Sequence, residues 1–230
     1  MDFKKEAARV AYTLIKDNSS VGLGDGMTAR YLASYLIDGI GAGLTLKVYT
    51  SSFQTQDFLQ AAGITVSDIS RVDTLDQYFD GCDQIDHQLN ALKSGSGIHT
   101  TEKILASMAK KFIIMADAPK YVSKLESKIP LVLEILPMAI SFVHKELQIL
   151  YPEAALSVRK SPEDKNDPVL TRNGNYLMDC LFPEWPEPGI IQNQCKRITG
   201  VVEISLFYEL VDEAIIAGDQ GIFRYERKNN

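Results

Sequence analysis

The chain has 230 residues, 45% of them hydrophobic and 23% charged, with a net charge of -6. That length suits one large domain or a domain plus a small one. The acidic balance argues against a general nucleic-acid binder, and no apolar run is long enough to span a bilayer. Three widely spaced cysteines, Cys82, Cys180 and Cys195, fit neither a disulfide framework nor a zinc site and suit a reduced, cytoplasmic protein. The first ten residues lack the apolar core of a signal peptide.

Residues 2–16 have helical spacing, with Phe3, Ala7, Val10, Ala11 and Leu14 on one face. An apolar strand at 21–24 ends in glycine, and 29–40 returns to helix until the glycines of GIGAG stop it. A strand at 44–50, a helix at 54–62, a short extended piece at 65–68, a helix at 101–111 and a buried strand at 112–116 follow. Strands alternating with helices predict a mostly parallel, doubly wound α/β sheet. After residue 128 the pattern changes. A strand at 129–136, a helix at 139–150 and strand-rich segments broken by Pro, Asn and Gly predict a smaller α+β domain over 129–202, with 1–128 and 203–230 forming the main one. DCLFPEWPEPGIIQNQ reads as a loop leading into a helix, and the final VDEAIIAGDQGIFRYE as a strand that returns to the main sheet.

Three stretches can carry chemistry. VGLGDGMTAR, at 21–30, joins a strand to a helix N-terminus through glycines, a geometry that presents backbone N–H groups and a positive helix end, with Thr28 adding a hydroxyl. It is not a dinucleotide fingerprint: Met27 stands where the third glycine belongs, and the second strand ends in Tyr49, Thr50 and Ser51 with no acid for a ribose. A ligand-free αβ turn fits it as well. FDGCDQID, at 79–86, brings Asp80 and Asp83 around a glycine, as an ordinary turn also does. LKSGSGIHTTEK, at 92–103, sets Lys93 beside a small turn and Glu102 at the start of a helix. Such a turn suits an anion, and a desolvated Glu there suits a base. Thr100 or Thr101 with Glu102 also fits a plain helix cap. His87, His99 and His144 are scattered and predict no metal site, with His99 a solvated loop residue.

In order, VGLGDGMTA, TSSF, FDGCDQID, LKSGSGIHTTEK, MADAPKYV, IPLVLEILPMA, TRNGNYLMD, GVVEISLF and AIIAGDQGI resemble ribose-5-phosphate isomerase, type A. The resemblance implies a doubly wound α/β domain with a small ferredoxin-like α+β domain beside it. It implies interconversion of ribose 5-phosphate and ribulose 5-phosphate through an enediolate, with no metal or cofactor. It makes Glu102 the base, Lys93 the group that steadies the enediolate or phosphate, and Asp80 and Asp83 the handlers of hydroxyl protons and ring opening. The expected substrate-binding set is Gly24, Asp25, Gly26, Met27 and Thr28 of the first loop, Gly81 and Cys82, Ser94, Gly95, Ser96 and Lys120. A homodimer or homotetramer is implied; Trp185, set between prolines in the small domain, is expected at a subunit contact. The alternatives are a divergent isomerase for another sugar or sugar phosphate, and a non-catalytic sugar-phosphate-binding protein.

The departures gather at the binding loops. The family's GTGST reads GDGMT here, so Asp25 and Met27 replace two hydroxyl residues; its KGGG reads KSGS, its DGADE reads DGCDQ with Gln84 in place of an acid, and its SSE reads SSF with Phe53. Asp25 is the sharpest of these, because a carboxylate about 4 Å from a phosphate charge repels it by roughly 1 kcal/mol in water and by more in a closed cleft. It is accommodated if it turns outward to cap the helix, if cations such as Lys93 or Arg30 offset it, or if the loop holds a neutral hydroxyl.

Overall fold

A strand buried on both faces is an unbroken apolar run, and the helix that follows must cover one of those faces. That rule organises the chain. The computed structural model describes residues 2–161 and 167–228, so residues 1, 162–166 and 229–230 of the expected domains lie outside the described residues. The first half runs α1 (Phe3–Tyr12), β1 (Ser19–Leu23), α2 (Gly26–Gly41), β2 (Leu46–Thr50), α3 (Phe53–Ala61), β3 (Gln77–Asp80), β4 (Gln84–Asp86), β5 (Ala91–Leu92), α4 (His99–Met108), β6 (Phe112–Asp117) and β7 (Tyr121–Val122). It continues with β8 (Leu131–Ile135), α5 (Ile140–Leu150), β9 (Ala155–Val158), β10 (Tyr176–Leu181), α6 (Pro188–Lys196), β11 (Val201–Ile204), β12 (Leu206–Phe207), β13 (Glu213–Gly218) and β14 (Gly221–Glu226). Among the described residues no helix is long and apolar enough to cross a membrane.

The main sheet has the order β14-β13-β6-β3-β1-β2 and is parallel throughout except for the edge strand β14. Successive residues of its strands go to opposite faces. Phe79, Ile113 and Ile215 pack under Ala7, Ala11, Leu32 and Leu36 of α1 and α2. Their neighbours Tyr78, Ile114 and Ile216 pack on the other face with Leu105 of α4 and with Ile85, Ala91 and Phe207. Each fully buried large side chain contributes about 1.5–3 kcal/mol. The chain leaves β1 for β2 on one side and crosses to β3 on the other, so the crevice at the carboxyl ends of β1 and β3 is a switch point where ligands bind.

The second sheet, β11-β8-β10-β9, is antiparallel and follows the β-α-β-β-α-β course of a ferredoxin-like unit. Trp185 is partly buried and packs against its core, edge-on to Phe182 at 5.2 Å with Nε1–H donating to Ile129 O at 3.3 Å. A third small sheet, β12-β5-β4-β7, joins the two. Several local expectations shift. Asp80 ends a central strand where a turn was expected, 65–68 contributes only the bridge of Val66 to Val48, and residues 179–181 finish β10 before the proline loop begins. The returning strand β13 pairs with β6, and β14 adds a hairpin to it.

Candidate active site

The strand end at Leu23 is followed by Gly24, whose N–H donates to Phe79 O at 2.9 Å, so the ends of β1 and β3 touch. A Cβ on Gly24 would lie 1.9 Å from the Asp80 carboxyl carbon. Only glycine leaves room for that side chain, which is 0% exposed. Asp80 Oδ1 accepts from Asp25 N at 3.2 Å and Gly81 N at 2.7 Å; Oδ2 accepts from Tyr78 Oη at 2.5 Å and faces Lys93 Nζ at 2.9 Å. A buried carboxylate persists only with such partners. Gly24→Ala is expected to displace it and lower the melting temperature by about 10 °C, with loss of kcat. A calorimetric scan checks this, and an unchanged Tm would mean that Asp80 has somewhere else to go.

Lys93 follows β5, and its backbone N–H donates to Ser205 O at 3.0 Å. Its ammonium donates to Gly81 O at 2.7 Å, pairs with Asp80 and lies 3.3 Å from Glu102 Oε1. That last contact is an ion pair only, since neither Glu102 oxygen accepts a hydrogen bond and the residue is 0% exposed. Burial pushes the Glu102 carboxyl up, to about 8; Lys93 opposes this, and the charges of Asp80 and Asp25 add to it. Burial would lower Lys93, but Asp80 and Glu102 outweigh it and hold the ammonium charged. An orphaned carboxylate beside a cationic group in a cleft is an environment that suits a base.

The capping role for Thr100 and Glu102 is not realised. α4 begins after Ile98 with no side-chain cap, and Thr100 Oγ1 donates to Glu134 instead. His99 is corrected as well: it is the first residue of α4, 0% exposed, with Nε2 3.3 Å from Glu203 O, and burial lowers its pKa to about 4.

A cleft of about 170 Å³ opens over these groups. The β1–α2 junction lines it with Asp25, Gly26, Met27 and Thr28, and the segment after β3 with Gly81, Cys82 and Asp83. Lys93, Gly95, Ser96, Glu102 and Lys120 of the expected set also line it, and Lys4 of α1 joins them unforeseen. Gly24, Asp80 and Ser94 stand behind this lining rather than on it. Ser94 Oγ donates to Pro130 O at 2.6 Å, and the N–H groups of Ser94 and Gly95, which suited an anion, donate to Asp83 Oδ2 at 2.6 and 2.9 Å. Asp83 therefore holds the lysine turn in place. Cys82 is shielded, burial raises its thiol to about 12, and its carbonyl accepts from Lys120 Nζ at 2.8 Å. Gln84 exchanges two hydrogen bonds with Glu126, which accounts for an amide there.

Asp25 precedes α2 without capping it; its Oδ1 instead accepts a hydrogen bond from Ser52 Oγ. The outward-capping account is thereby replaced, and Arg30 is turned onto the Phe58 ring at 4.4 Å. Met27 is 53% exposed.

The model of the family described as ribose 5-phosphate isomerase A (phosphoriboisomerase A) matches residues 47–221. The chain is 34% identical over 228 residues to ribose-5-phosphate isomerase A of Pyrococcus abyssi, covering 98% of each, and 36% identical over 223 residues to that of Lactobacillus delbrueckii subsp. bulgaricus, covering 96% and 94%. Among solved structures it is similar to ribose 5-phosphate isomerase A of Methanocaldococcus jannaschii, with a TM-score of 0.90 at 29% identity and 98% of each chain covered. A D-ribose-5-phosphate isomerase in complex with phospho-erythronic acid aligns with a TM-score of 0.92 at 30% identity, again over 98% of each. With agreement over nearly its whole length, and the same residue blocks gathered at one switch-point cleft, the chain belongs to the ribose 5-phosphate isomerase A family.

Proposed function

We propose that the protein interconverts ribose 5-phosphate and ribulose 5-phosphate by proton transfer between C2 and C1, with Glu102 as the base. The observation that carries this is the buried Glu102 carboxylate, free of hydrogen bonds and 3.3 Å from Lys93 Nζ on the cleft wall. Ionised Glu102 takes the proton from C2 of the open-chain aldose. The C2–H electrons form the C1–C2 double bond, and charge develops on O1. The Lys93 ammonium, kept charged by Asp80, stabilises that oxygen. The O2 hydroxyl passes its proton to O1, and Glu102 returns its proton to C1 as the C2=O2 carbonyl forms, giving the ketose. Asp83 holds the lysine turn; the uncapped first turn of α2, with Lys4 and Lys120, receives the phosphate. The retained base disfavours a purely binding role.

The test is proton NMR of the purified protein with ribose 5-phosphate in deuterated water. Ketose formation with deuterium entering the transferred position is expected, and no conversion by folded protein would overturn the assignment. We also propose a cytoplasmic location and a homo-oligomeric assembly. The exposed Met138, Phe142 and Ile149 about α5 support the assembly, and light scattering decides it.

A further inference from the structure

Asp25 places a negative charge at the loop assigned to the phosphate; Lys4 lines the same cleft, and the other cations nearby have protein partners of their own. Lys93 is held by Asp80 and Glu102, Lys120 by Cys82 O with Asp117 3.8 Å away, and Arg30 lies on Phe58. A further cation comes from the ferredoxin-like unit. Arg172 Nη1 donates to Ser51 O at 2.9 Å, and its guanidinium carbon lies 3.3 Å from the Phe53 ring centroid. It thus engages both neighbours of Ser52, the residue whose hydroxyl holds Asp25. Burial lowers the pKa of Arg172 and the nearby charge of Asp25 opposes that, although no salt bridge joins the two.

The turn that presents Arg172 is built to stay put. Thr171 Oγ1, Asn173 Nδ2 and Asn175 Nδ2 donate to Glu134 Oε1 at 2.7, 3.1 and 2.8 Å. Glu134 is buried in β8, and its other oxygen accepts from Thr100 on the helix that carries Glu102. A long, exposed arginine loses rotamer freedom when fixed in this way. Ordering three flanking side chains on one buried carboxylate, and stacking the guanidinium on an aromatic face, reduces what the arginine itself must lose.

We propose that Arg172 is a positioning residue for the substrate's phosphate: it offsets the Asp25 carboxylate and fixes the 51–53 segment, so that the β1–α2 loop admits an anion with Asp25 in place. The inference rests on the isomerase reading in taking that anion to be a sugar phosphate. Because Arg172 offsets the Asp25 charge, most of its effect on anion binding must be lost when Asp25 carries no charge, whereas an effect that came only from bracing the 51–53 segment would persist.

The experiment is a cycle of wild type, Arg172→Met, Asp25→Asn and the double variant. Binding of ribose 5-phosphate and of inorganic phosphate is measured by calorimetry, and KM and kcat by initial rates. Arg172→Met is expected to weaken binding about fivefold, with kcat within about twofold of wild type. In the Asp25→Asn background the same change should weaken binding by less than about twofold, and Arg172→Lys should recover most of the affinity. An equal factor in both backgrounds, no weakening, or a fall confined to kcat would overturn the proposal. Wild-type binding without conversion would sink the isomerase reading and leave the cycle decisive for Arg172. Failure of the wild type to bind either probe would overturn both.

Discussion

Glu102→Gln is expected to lower kcat for ribose 5-phosphate by ~10²–10⁴ while KM moves by less than about threefold. The amide has the shape of the carboxyl group but cannot take a proton from carbon. The fold should be little disturbed, because the carboxylate makes no hydrogen bond that the substitution would break and Lys93 keeps its pair with Asp80. The same change should leave the protein more stable above neutral pH. Burial raises the folded-state pKa of Glu102 from 4.5 to about 8. A group shifted upward contributes stability that is fully present below its unfolded pKa and is lost as pH rises through the folded one. The Tm of the Gln variant should therefore match wild type near and below pH 4.5, exceed it increasingly up to about pH 8, and level off above that. In the wild type, the acid limb of kcat/KM should lie above the ordinary carboxylate range, since the base must ionise to work. Wild-type turnover in the variant would remove Glu102 from the role; a Tm difference that does not grow with pH would mean that the ionised carboxylate is not strained.

How much of this was legible in the sequence depends on how local the cause was. Alternating apolar runs gave away the parallel sheet, since each buried strand and its covering helix are contiguous. Lys93 and Glu102 were legible because a short glycine turn joins them. Gly24 was legible as important and misread in role: its missing Cβ makes room for Asp80, a residue of another strand. β3 was not seen, because the turn signal of Asp80, Gly81 and Asp83 masks a strand whose evidence is its pairing with β1 and β6. β4, β5, β7 and β12 are two or three residues long, too short for any period to register. Lys4 sits among other charged residues of an amphipathic first turn, where nothing separates a cleft lysine from a solvated one. Asp25 announced a conflict, but Ser52, whose hydroxyl holds it, and Arg172, which braces the neighbouring Ser51, come from distant segments that only the packed sheets bring together.

Lys93→Met should have the largest combined effect: a Tm lower by about 10 °C and kcat reduced by ~10²–10³ or more. Among the described residues, Lys93 is the one ammonium in contact with two carboxylates that are both 0% exposed. Removing one partner of a buried ion pair costs about 3–5 kcal/mol, because the charge left behind has lost its compensation and cannot return to water. Asp80 keeps its bonds from Tyr78, Gly81 and Asp25, and Glu102 keeps none. The loss should accordingly be smaller at pH 5 than at pH 8, since Glu102 can then take up a proton. Adding Asp80→Asn should restore much of the Tm and none of the activity: the second change removes the stranded charge, while the developing oxyanion still lacks its cation. Differential scanning calorimetry at two pH values, with initial rates on the same samples, separates the two effects. If Asp80→Asn restores no stability, the loss in Lys93→Met comes from packing of the lysine stem, and the ion pair is there for the reaction rather than for the fold.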